Sequence, residues 1–197
     1  MRTRRLLAVL ALSLTPAWAG ACSRTVVGVP ASTVTTAGQH SAADEAFATQ
    51  MIPHHRQAIV MADMALRRSD DGRVRSLARS ISAAQAPEIV AMAGWLHVWG
   101  VAVPTRTAMG GPMMGGRPSA DDMMDESGLA RLHSRSGARF DRMFLTMMID
   151  HHQDAVEMAR AEMTDGTFAA EVDLAASIET SQTAEIGTMR KMLVERR

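Results

Sequence analysis

Two histidine pairs carry most of the chemistry available to this chain. Met51-Ile52-Pro53-His54-His55 returns as Met148-Ile149-Asp150-His151-His152, and the offset of 97 positions continues without a gap beyond both motifs. Laying 44–96 over 141–193 pairs Asp44 with Asp141, Phe47 with Phe144, Ala58 with Ala155 and Met61 with Met158. Further on, Leu77 meets Leu174, Gln85 meets Gln182, Glu88 meets Glu185 and Met92 meets Met189. Of 53 aligned positions 19 are identical, so most of the surface has diverged while His-His, Met, Gln and Glu stay in step. An internal repeat of this kind points at its own candidate site. Four imidazoles (His54, His55, His151 and His152) and two carboxylates (Glu88 and Glu185) converging in a helical core suit one or two metal ions, with imidazole donors at about 2.0–2.1 Å for zinc-like metals. The thioethers of Met51 and Met148 bias the choice to a soft ion, copper as Cu(I), over zinc or iron. Imidazole must be neutral to bind, so binding there is expected to weaken as pH falls through about 6.

A second reading of the same residues stays open. The histidines can hydrogen-bond to Glu88, Glu185, Gln85 and Gln182 as a buried network that fixes helix register. A buried carboxylate costs several kcal/mol unless it is paired or bound to a metal, and either reading meets that demand. Met61, Met92, Met158 and Met189 read as core filling. Another methionine group, Met109, Met113, Met114, Met123 and Met124, falls in and just after the glycine-rich run 109–116. Exposed thioethers oxidise and gain nothing from burial, so this loop suggests Cu(I) or Ag(I) capture. Its alternatives are a disordered crossover, or Met123 and Met124 closing the bundle end.

The elements that must position these side chains are helices. Ser41-Ala42-Ala43-Asp44 is a capping box. From it, Asp44, Phe47, Met51, His54, Ala58, Met61 and Ala65 step by three and four as one buried seam to about Arg68. Neighbouring helical residues point about 100° apart, which places His54 on the seam and His55 to its side, over Met51. His151 and His152 repeat that arrangement. Pro53 can kink the helix beside the histidines. A second helix from about Asp71 uses Leu77, Ile81, Ala84, Glu88, Met92 and Trp95, and Gly100 ends it. Repeat two follows the same plan, from about Ser136 to Thr164 and from about Phe168 onward. Between them, Ser119-Ala120-Asp121-Asp122 can cap a short helix through about His133. The expectation is an all-α, ferritin-like four-helix bundle of two homologous hairpins joined by a long methionine-rich crossover. It forms one domain over 42–197, with repeat one at 44–96, the crossover at 97–135 and repeat two at 141–193.

Residues 1–22 read as an export signal: basic Arg2, Arg4 and Arg5, an apolar run from Leu6 to Leu14, and Ala19-Gly20-Ala21-Cys22. The small-residue run ending in the chain's single Cys has lipobox form, making Cys22 the lipidated first residue of a mature membrane-anchored protein facing outward. Cleavage after Ala19 is the alternative. Residues 23–41 read as a flexible tether. One cysteine permits no internal disulfide. Removing the three leader arginines leaves 18 basic against 21 acidic residues, with no basic stripe to follow a phosphate backbone, which excludes nucleic acid as a partner.

Met-Ile-x-His-His followed by Ala and Met-Ala, twice, with Phe140-Asp141-Arg142-Met143-Phe144 before the second copy and a methionine-rich crossover, resembles the bacterial domain of unknown function 305 family. The resemblance covers about Ala43–Leu193. It implies a ferritin-like bundle, export in secreted or lipid-anchored form and, for some members, copper binding and tolerance. The residues it implicates are His54, His55, His151, His152, Met51 and Met148. The chain departs from ferritin-like di-iron enzymes, whose sites use Glu-x-x-His on two helices. Three before each histidine stands Met51, Ile52, Met148 or Ile149, so that carboxylate set is missing. No Gly-x-Ser-x-Gly, phosphate loop or Cys nucleophile replaces it. Three classes of function follow: extracytoplasmic metal sequestration or handover without catalysis, a ferritin-like redox enzyme, and a metal-free module binding another envelope protein.

Overall fold

The capping box forms as its sequence requires. In the computed structural model, which describes residues 39–105 and 126–195, Ser41 Oγ accepts from the backbone N–H groups of Ala43 and Asp44, and the Asp44 carboxylate accepts from Ser41 N. Helix α1 (Ala42–Arg68) starts there and runs through Pro53 without interruption. Asp71 caps helix α2 (Gly72–Trp99) by accepting from Arg73 N at 2.7 Å, and α2 in turn continues through Pro87. Gly100 ends α2 at φ 75°, a left-handed conformation that a glycine adopts without a Cβ penalty. A short helix α3 (Glu126–His133) leads into α4 (Gly137–Asp165) and α5 (Ala169–Val194). The described residues contain helices and no strand.

The two repeats fold as two hairpins, α1 on α2 and α4 on α5, and the hairpins meet chiefly along α1 and α4. The expected all-α four-helix bundle is the architecture found. Its apolar core falls into two clusters. One gathers Ala58 to Ala65 of α1, Val74 to Ile81 of α2, Phe140 to Ile149 of α4 and Ile186 to Met192 of α5. The other gathers Phe47 to Ile52 of α1, Met92 and Leu96 of α2, Ala155 and Ala159 of α4, and Ala175 and Ile178 of α5. Antiparallel hairpins with the same seam generate this pairing, because the repeat offset carries most of one cluster onto the other. Both histidine pairs fall between the clusters along the chain. In α2 the expected Leu77, Ile81 and Met92 are buried, but Gln85 and Leu96 take the inward places expected of Ala84, which is exposed, and Trp95, which is half-buried. Among the described residues no helix is long and apolar enough to cross a membrane.

Candidate metal centre

At mid-height of the bundle, α1 and α4 place His54 and His151 ring against ring, with centroids 3.6 Å apart and planes inclined by 33°. Each is flanked by its neighbour in the motif, His55 at 6.4 Å and His152 at 6.2 Å. Both flanking histidines are fully buried, as is His151, while His54 is half-buried with its two ring nitrogens enclosed. His55 and His152 therefore belong to the interior, not to the side of the seam where simple helical spacing puts them. Two adjacent helical positions can both be inward when a helix is flanked by two neighbours, and α1 touches both α2 and α4.

Each flanking histidine is held by the glutamate of its own hairpin. His55 Nε2 donates to Glu88 Oε2 at 2.7 Å, and His152 Nε2 donates to Glu185 Oε2 at 2.8 Å. The glutamates are the more exposed partners, at 16% and 22%. A neutral imidazole that donates from Nε2 carries its lone pair on Nδ1. Those two Nδ1 atoms are buried and have no hydrogen-bond partner, and neither have the ring nitrogens of His54 and His151. The side-chain amides of Gln85 and Gln182, both 2% exposed, are likewise unpartnered. A buried polar group left unsatisfied costs about 1–3 kcal/mol, so this layer lowers the stability of the bundle between the hairpins. Burial, reinforced by the neighbouring imidazoles, holds His54 and His151 well below the ordinary histidine pKa. Both are neutral at pH 7, the form that can bind a metal.

Met51 and Met148, one turn before each pair, are fully buried, Met51 in one apolar cluster and Met148 in the other. The lipobox Cys22 and the crossover methionines Met109, Met113, Met114, Met123 and Met124 lie outside the described residues.

One polar group escaped the reading of the sequence. Asp44 is an N-cap partner in α1, and it also reaches the turn between α4 and α5. Its carboxylate accepts from Thr167 N, Thr167 Oγ1 and Phe168 N, each at 3.0 Å. Burial alone would raise its pKa, but backbone hydrogen bonds from Ser41 and Phe168 outweigh it and hold the carboxyl below the usual carboxylate range. Beside it lie Glu162 and Glu171. Burial, then the Asp44 carboxylate, pushes Glu162 up to about 8; burial, then the charges of Glu162 and Asp44, pushes Glu171 up to about 9. Among the described residues these three are the group of His, Cys, Asp or Glu whose ligand atoms all come within 4.8 Å of one another. The histidines meet as pairs and do not form such a group. A signal for the acidic cluster existed in the repeat: Glu162 and Glu171 stand where repeat one has Ala65 and Val74.

Residues 44–193 match the family described as Domain of unknown function (DUF305). Among solved structures, the chain is similar to a protein of Streptomyces coelicolor assigned as a secreted DUF305 protein, at 32% identity and a TM-score of 0.66, covering 78% of this chain and 92% of that one. It is similar to CopM in the Cu(II)-bound form, at 35% identity and a TM-score of 0.65 over 78% of this chain and 97% of that one. CopM in the Cu(I)-bound form gives 33% identity and a TM-score of 0.63 over 77% and 96%. Comparison with curated proteins returns no match. With the family pattern covering both hairpins and the whole histidine layer, the chain belongs to the DUF305 family.

Proposed function

We propose that this protein binds Cu(I) or Ag(I) outside the cytoplasm and sequesters or hands over the ion in metal tolerance. The observation that carries the reading is the layer of buried imidazole nitrogens without partners, centred on His54 and His151. The likeness to CopM, solved with Cu(II), Cu(I) and Ag bound, supports a copper- or silver-related role. In this reading His54, His151 and the Nδ1 atoms of His55 and His152 are the nitrogen donors. Met51 and Met148 supply thioethers from one turn away. Glu88 and Glu185 act differently from the histidines: they hold His55 and His152 by Nε2 and so aim Nδ1 inward, the arrangement in which a carboxylate orients a metal-bound imidazole. The crossover methionines Met109, Met113, Met114, Met123 and Met124 form a weaker capture site. Cys22 carries a lipid anchor that keeps the protein at the outer face of the membrane.

The test is competition with a Cu(I) chelator under anaerobic, reducing conditions. Replacing His54 and His151 together by Ala should abolish the tight site and leave the weaker capacity of the crossover. Deleting residues 109–116 should do the reverse. If the double histidine variant holds Cu(I) as tightly as the parent, the histidines are a register-fixing network and the copper reading falls back to the crossover alone. Cys22→Ser should move the protein from membrane to soluble fractions, and unchanged fractionation overturns the anchor.

A further inference from the structure

At the end of the bundle where α1 begins and α4 turns into α5, three carboxylates meet away from the histidines. Asp44 lies ten residues before His54 on the same helix, about 15 Å along its axis. Asp44 and Glu171 are 0% exposed and Glu162 is 2% exposed. Asp44 is fully served, with Thr167 and Phe168 donating from one side and Ser41 from the other. Glu162 and Glu171 are not: none of their four carboxylate oxygens has a donor. The charged groups acting on them are one another, Asp44 and Asp165, all of one sign. No ion pair among the described residues involves any of the three. Three buried acids without a cation cannot all ionise: Glu162 can bond the Asp44 carboxylate only when protonated, and Glu171 has no partner.

The repeat supplies an independent comparison. In the other repeat the positions equivalent to Glu162 and Glu171 are Ala65 and Val74, both fully buried in the apolar core, and the equivalent of Asp44 is Asp141. The fold therefore fills those positions with hydrocarbon there, and the carboxylates here are an addition it does not need. Room has been left for them. A Cβ on Gly166 would overlap the Glu162 carboxylate, so the glycine lets that side chain fold back over the turn. Phe168, whose N–H serves Asp44, is clamped edge-on by Trp95 and Trp99 at 5.5 and 5.4 Å, and His40 stacks on Trp99 at 4.3 Å. An aromatic cover thus stands beside the acids.

We infer that Asp44, Glu162 and Glu171 form a site for one hard divalent cation of the size of calcium, separate from the histidine layer. Ligand oxygens within 4.8 Å of one another can share an ion that takes bonds of about 2.3–2.6 Å, and Mg²⁺, which dehydrates reluctantly and is rarely held in an all-protein cage, suits a buried site of this kind less well. All-oxygen ligation is hard, so this site rejects Cu(I). Glu162 and Glu171 are the open ligands. Asp44, with its own hydrogen bonds complete, fixes the α4–α5 turn that presents them and adds its charge. An ion here ties the start of α1 to the junction of α4 and α5, so it staples one hairpin to the other.

The experiment uses the chelator-treated mature chain and two probes, Ca²⁺ by calorimetry and Tb³⁺ by luminescence sensitised through Trp95 and Trp99. One equivalent of ion should bind, with a rise in Tm of about 5 °C or more at a Ca²⁺ concentration a hundredfold above Kd. Glu171→Gln should weaken Ca²⁺ binding at least tenfold. Glu162→Ala with Glu171→Val, which installs the residues of the other repeat, should lose Ca²⁺ binding, raise the Tm of the ion-free protein and leave Cu(I) uptake intact. Absence of Ca²⁺ and Tb³⁺ binding to the folded parent at millimolar concentration overturns the site. So does equal binding by the parent and the Ala/Val variant. Because Cu(I) uptake is read on the same samples, failure here is distinguishable from failure of the copper reading.

Discussion

Replacing His54 and His151 by Leu should make the metal-free protein more stable and the copper-loaded protein less so. Each neutral ring holds one donor and one acceptor, so the two rings bury four polar groups, and none has a hydrogen-bond partner. At about 1 kcal/mol each, the low end of the cost of an unsatisfied buried group, they depress stability by about 4 kcal/mol. Leucine is close to histidine in volume, and reshaping a contact as tight as 3.6 Å between ring centroids costs about 1–2 kcal/mol. The expected net gain is about 2–3 kcal/mol, or about 5–10 °C in Tm for a domain of this size. The parent more than recovers the difference on loading, because a ligand at a thousandfold above Kd stabilises by about 4.1 kcal/mol, while the variant gains nothing. Urea unfolding of both proteins, with a strong Cu(I) chelator and then with excess Cu(I), reads both signs. A double variant less stable than the parent in chelator by more than about 1 kcal/mol shows that the rings are already satisfied, and the reasoning from unpartnered nitrogens then fails.

Three further outcomes follow from the same geometry. Glu88→Ala and Glu185→Ala each free one imidazole from its Nε2 acceptor, and Cu(I) affinity by chelator competition should fall about 10–100-fold per residue. Burial depresses His54 and His151, so the metal-free fold keeps its full stability above the unfolded value of 6.5 and loses it as pH falls toward the folded values; urea midpoints at pH 7, 6 and 5 in chelator should decline, while Cu(I) competition holds below the pH of about 6 expected of ordinary histidines. Glu162 and Glu171 are raised, so without divalent ions stability present below 4.5 is lost as pH rises through about 8 to 9, and thermal melts of the Glu162→Ala, Glu171→Val variant should be flat across that window.

Much of this was legible because helices announce themselves by period and by caps. Ser41, Asp71 and Gly100 sit where a capping box, an N-cap and a left-handed stop belong, and four of the five helices follow the expected boundaries within one or two residues. The histidine pairs were legible for a different reason: two copies in one chain let divergence sort site from surface. What spacing alone could not supply is the direction of His55 and His152. A single helical wheel assigns one inward face, whereas α1 and α4 each touch two neighbours and so have two inward faces. The partners of Glu88 and Glu185 were not legible either: spacing places them opposite the histidines, and only the structure gives the 2.7 and 2.8 Å contacts to Nε2 of His55 and His152. The acidic cluster was missed because its members lie on three different helices, 118 and 127 positions from Asp44 along the chain. The histidine layer lies where the two repeats agree, and the acidic cluster lies where they differ.

The fold tolerates an unsatisfied polar layer because of where it places that layer. Apolar clusters on either side contain Phe140, Phe144, Leu145 and Ile81 in one and Phe47, Ile52, Met92 and Leu96 in the other. At about 1.5–3 kcal/mol for each large side chain buried, either cluster outweighs the layer between them. Contacts within each hairpin also remain intact on both sides of the histidines, so loosening the layer does not unfold a helix. The hairpins meet mainly through α1 and α4, the two helices that carry His-His. An ion shared by His54 and His151 would therefore bridge the interface between the repeats, and its removal would cost the protein its inter-hairpin stability before its helicity. Near-UV circular dichroism, which reports packing around Trp95 and Trp99, should accordingly respond to chelation at lower urea than the far-UV helix signal, and coincident transitions would show that the layer adds nothing specific to the junction.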